Sequence, residues 1–171
     1  MNTRPRVLWF DEGDTPSWFA GLVNETAEEV SWIIVEQPGA SYEGEVTRLP
    51  RHLDEALWAR DLAGLAPHVL LRPAGKAALG DCYFTLLAAA AGAHLILDQR
   101  LDTPASLPAE RLGQAASLWK SRLLCAVKDL RGTLASGKAT REAALALPSV
   151  EELPTPWAQP QPMLELSLIH I

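Results

Sequence analysis

A disulfide framework, a membrane span and an excess of positive charge are all missing from this chain of 171 residues. It has two cysteines, Cys82 and Cys125, each expected in an apolar helix. Both therefore read as small core residues of a reducing compartment, not as cross-links. The longest apolar run, 83–97, is too short for a bilayer and is interrupted by Gly92 and His94. Only four apolar residues separate Arg6 from Asp11, so no signal peptide is expected here and the expected location is cytoplasmic. Lys and Arg number 15 against 21 Asp and Glu, a formal net charge of -6, which argues against a nucleic-acid surface. Histidines are few, and His52 and His68 have no second ligand at metal spacing, so no metal site is expected. No Ser-His-Asp arrangement is visible from spacing either. What is present is a hydrophobic fraction of 48%, enough for one soluble domain with a real core.

The stretch 81–98 organises the rest. Leucine and alanine, both strong helix formers, dominate 81–91. Gly92 suits the left-handed position just beyond a helix end. The short apolar run 93–97 suits a strand covered on both faces. Further strands are expected at 6–10, 30–37, 45–49 and 68–72. A helix capped by Asp14 or Thr15 should follow the first strand, burying Trp18, Phe19, Leu22 and Val23, and another should span 53–65. A loop is expected over 101–108. Beyond it, Leu118 or Trp119, Leu123, Val127, Leu130 and Leu134 predict one amphipathic helix over 115–136, stopped by Gly137, and a short helix over 140–147. Strands alternating with helices give the fold class: α/β, a Rossmann-like three-layer sandwich with a mainly parallel sheet of about five strands, spanning residues 5–147. Ligands of such sheets bind beyond the carboxyl ends of the strands.

Residues 66–73, Ala-Pro-His-Val-Leu-Leu-Arg-Pro, form a small-residue, strand and proline segment. Residues 86–96, Leu-Leu-Ala-Ala-Ala-Ala-Gly-Ala-His-Leu-Ile, form a helix-glycine-strand signature. With the amphipathic helix near Trp119 and its Arg131 and Arg141, these segments resemble the nucleotide-sugar-binding half of a GT-B glycosyltransferase. The resemblance implies transfer of a sugar from a nucleotide-sugar donor to a saccharide or lipid-linked acceptor in polysaccharide or glycoconjugate synthesis. It implies no cofactor and no metal, with catalysis by positioning and by stabilising the leaving diphosphate. In families with two glutamates eight positions apart, the second binds the donor ribose; here Leu79 and Leu87 stand at those places, and His94 replaces the signature's proline.

The loop before the central helix is the best anion site. Arg72, Lys76 and the amides of Gly80 and Asp81 are placed to meet the donor phosphates, aided by the partial positive charge of a helix N-terminus. Asp11 and Glu12 after the first strand are a second polar loop site, similar to the paired acids of phosphoacceptor receiver domains. A receiver also needs an aspartate where Arg72 stands and a lysine where Arg100 stands. The alternative reading is a non-catalytic Rossmann-like or degenerate receiver-like interaction domain of a larger protein. Prolines at Pro148, Pro154, Pro156, Pro160 and Pro162 make 148–165 an expected linker to a further domain. The last residues, 166–171, match a translated sequencing adapter and are expected to be an adapter-derived tail.

Overall fold

The structure is a computed structural model that describes residues 3–10, 16–36, 46–50, 55–73 and 83–147. Its centre is a run of short apolar strands: β1 (Arg6–Phe10), β2 (Ser31–Glu36), β4 (Val69–Arg72) and β5 (His94–Asp98). Both faces of these strands are covered, which is why they read as continuous hydrophobic runs without alternation. The edges are β3 (Val46–Pro50) and β6 (Glu110–Leu112). Pro50 closes β3, an edge position where a missing N–H is tolerated. All pairings are parallel, and the order is β3-β2-β1-β4-β5-β6. The sheet thus has six strands where the sequence predicts about five. The extra one, β6, has three residues, Glu-Arg-Leu, none fully buried, so it carries no hydrophobic run to reveal it.

Side chains alternate between two cores. Leu8, Phe10, Leu70, Leu95 and Leu97 point to one face, packed by α2 (Glu55–Leu65), by α3 (Tyr83–Ala90) and by Ala144 near the end of α5 (Leu130–Leu145). Val7, Trp9, Trp32, Val69, Leu71 and Ile96 point to the other, packed by α1 (Phe19–Glu25) and α4 (Ala116–Lys128). Aromatic contacts consolidate this second core: Trp9 to Phe19 at 3.9 Å and Phe19 to Trp32 at 5.7 Å between ring centroids. Two of its indole N–H groups donate to neighbours, Trp32 to Thr26 Oγ1 at 3.1 Å and Trp119 to the Gly113 carbonyl at 2.8 Å.

The two helices after β6 depart from the expected division into 115–136 and 140–147. The break comes at Asp129, not at Gly137. Asp129 has φ −100° and ψ 63°, and its carboxylate accepts the Gly132 N–H at 3.1 Å, capping α5. Gly137 sits inside α5 for another reason: a Cβ there would lie 2.1 Å from the carbonyl oxygen of Gly92. Gly92 has φ +92°, the left-handed turn expected after α3. At this glycine crossing α5 passes under the amino end of β5, from the face of α4 to the face of α3. The break also resets the helical phase, so Leu134, predicted to share the apolar stripe, is 52% exposed. Leu118 is exposed and Trp119 buried. Cys125, expected in the core, is exposed on α4; Cys82 lies outside the described residues. So do Asp14, Thr15, Leu53 and the whole of 148–171.

Candidate functional site

The strand order reverses between β1 and β4: the chain runs from β1 outward through β2 and β3, then restarts on β1's other side with β4. In doubly wound sheets the crevice for a ligand opens at this point, beyond the carboxyl ends of the strands. Phe10 ends β1 and Arg72 ends β4 there. Arg72 lies in register with Leu97 and on the face covered by α3. It is 1% exposed, and its Nη1 donates to Thr85 Oγ1, in the first turn of α3, at 2.6 Å. A guanidinium keeps its charge even when buried, so Arg72 places a buried cation at the carboxyl end of β4.

The next strand ends in a carboxylate. Asp98 is 2% exposed and is neutralised by its neighbour Arg100. Asp98 Oδ1 accepts from the Arg100 backbone N–H at 2.9 Å and from Nε at 3.0 Å, while Oδ2 accepts from Nη2 at 2.9 Å. With its amide oxygen turned toward Arg100, Gln114 accepts from the same guanidinium. Arg111 fastens the loop after β5 by donating to the Leu101 carbonyl and to Thr103 Oγ1. The carboxyl edge therefore carries Arg72 on one face of the sheet and the Asp98–Arg100 pair on the other.

Of the residues proposed from sequence for donor phosphates, the structure places Arg72 at this edge. Lys76, Gly80 and Asp81 lie outside the described residues, as do Asp11 and Glu12. Thr85 and Asp98 were not singled out from sequence, and Arg100 was named only as standing where a receiver carries a lysine. A threonine on α3 has no local pattern linking it to Arg72, 13 positions earlier, and the register of β4 against α3 is what joins them.

A second polar group lies at the opposite, amino edge. His94, the first residue of β5, is buried, and both its ring nitrogens have partners. Its Nδ1 is 2.7 Å from Ser136 Oγ, and its Nε2 is 3.0 Å from Glu110 Oε1. Glu110 Oε2 accepts from Arg122 Nε at 2.7 Å. That hydrogen bond and the carboxylate's charge raise the Arg122 pKa further. Nearby, His68 Nδ1 accepts the Arg6 backbone N–H at 3.0 Å. Burial, and secondly the charge of Arg6, push the His68 pKa below 6.5.

Among the described residues no cluster of three or more His, Cys, Asp or Glu is placed to hold a metal ion, and no helix is long and apolar enough to cross a membrane. No protein-family profile, curated protein or solved structure matches the chain.

Proposed function

We propose that this chain is the nucleotide-sugar-binding half of a cytoplasmic glycosyltransferase of the GT-B type, acting in polysaccharide or glycoconjugate synthesis. The observation that supports the reading is the place of Arg72: a fixed buried cation at the carboxyl end of β4, beside the reversal of a parallel sheet ordered β3-β2-β1-β4-β5-β6. The order favours this reading over a receiver-like interaction domain, whose sheet has the five-stranded order 2-1-3-4-5.

In this reading the donor diphosphate lies over the end of β4. Arg72 meets it from the sheet, and Lys76, Gly80 and Asp81 are the residues that the sequence offers to complete the contact. As the bond between sugar and phosphate breaks, negative charge grows on the leaving diphosphate. A cation already fixed in place stabilises that charge without reorganising, so the charge lowers the barrier more than it tightens ground-state binding. Leu87 is wholly buried in the core, so the donor ribose is held by loop residues and not by a carboxylate from α3. The acceptor is a saccharide or a lipid-linked saccharide brought to the same crevice.

Calorimetric titration with UDP, GDP and their sugar conjugates tests the proposal. One of these nucleotides should bind, and Arg72→Lys, which keeps the charge but loses the guanidinium fork, should weaken it roughly tenfold, about the worth of one charge-assisted hydrogen bond. A folded sample that ignores every nucleotide at millimolar concentration would remove the reading.

A further inference from the structure

The amino-edge chain of His94, Ser136 and Glu110 has a defined direction. Arg122 contacts Glu110 Oε2 through Nε at 2.7 Å and through Nη2 at 2.6 Å, a charge-assisted pair between guanidinium and carboxylate. An ionised carboxylate only accepts, so the hydrogen between Glu110 Oε1 and His94 belongs to Nε2. In the neutral ring Nδ1 is then a bare lone pair, and the 2.7 Å contact is the Ser136 hydroxyl donating to it. Carboxylate, imidazole and hydroxyl stand in the order that makes a serine nucleophilic: the acid fixes the tautomer, and the base faces the hydroxyl.

A purely structural tie between β5, β6, α4 and α5 would have no need of an open side. Here Ser136 and His94 border a groove of about 390 Å³, also lined by Arg122, Cys125 and Thr133. We propose that Ser136 is an activated nucleophile that takes the acyl group from a small ester in this groove, a site separate from the nucleotide crevice at the other end of the sheet. Ser136 Oγ attacks the ester carbonyl carbon while its proton passes to His94 Nδ1. The carbonyl C–O bond to the alcohol breaks, and the alkoxide leaves with that proton as the free alcohol. Water then attacks the acyl-serine, giving its proton to His94, and a carboxylic acid is released as Ser136 recovers its hydrogen. Glu110 is a positioning residue that stabilises the imidazolium. Arg122 has Nε and Nη2 on Glu110 and is the cationic donor beside the groove for the developing oxyanion.

The test is labelling of the full chain by a fluorophosphonate probe, with the adduct located by peptide mass, and hydrolysis of p-nitrophenyl acetate in a Cys125→Ala background so that the thiol contributes nothing. The adduct should sit on Ser136 and vanish in Ser136→Ala. His94→Gln, which retains hydrogen bonding but loses the base, should slow labelling by on the order of 100-fold. Glu110→Gln should slow it too and shift its pH profile. Placement of the adduct in the unmutated chain needs no variant to fold. A folded chain that takes no label at Ser136, or that labels equally fast without His94, would overturn the proposal.

Discussion

The ring of His68 sits where the start of β4 meets the start of β1, accepting a backbone N–H from Arg6. Protonating the ring would place a charge in a half-buried site and, secondly, beside Arg6, which is why its pKa lies below 6.5 in the folded chain. The folded state then binds fewer protons than the unfolded state across the interval between the two pKa values, so stability rises with pH there. His68's contribution is complete above pH 6.5 and is lost as pH falls through the lowered folded value. His68→Asn keeps an acceptor near the position of Nδ1 and does not titrate. Urea midpoints measured from pH 7.5 down to pH 5 should fall more steeply for the unmodified chain than for this variant; parallel curves would contradict the assignment. Contacts of this kind were not legible in the sequence. His94 could be read as a satisfied buried histidine from its apolar strand. Its partners, 42 and 16 positions away, are fixed only by the crossing of α5 and the register of β6.

At the scale of elements, the glycine crossing between α3 and α5 is the feature with the sharpest consequence. Gly137→Ala introduces a methyl group 2.1 Å from the Gly92 carbonyl oxygen, a backbone atom that cannot move without displacing β5. The variant should lose about 1–3 kcal/mol in denaturant unfolding, the usual range for overpacking. An unchanged midpoint would mean that α5 does not cross so closely. The same crossing explains why the sequence misplaces the helix end. Glycine ordinarily marks a stop, yet here its missing side chain serves packing. The true stop, Asp129, looks like one more charged residue on a solvated face until its carboxylate is seen on the Gly132 N–H. Carrying one helical phase through that break is what put Leu134 on the wrong side.

At the scale of the whole molecule, the alternation of strands and helices was legible because the central strands are buried on both faces and read as short apolar runs. The edge strand β6 was not, since three residues of mixed polarity carry no period. Strand order is set by tertiary packing and not by local pattern, and it is the order that gives Arg72 its significance. The two ends of the sheet have distinct chemistry: Arg72 and the Asp98–Arg100 pair at the carboxyl end, His68 and His94 at the amino end. Nucleotide binding is proposed at the first of these ends. The most direct measurement is backbone amide mapping by NMR during titration with UDP or GDP. Shifts should concentrate at Arg72, in the first turn of α3 and around 98–100, leaving His68, His94 and Ser136 undisturbed. Shifts confined to the amino edge, or no saturable shifts at all from a well-folded chain, would contradict it.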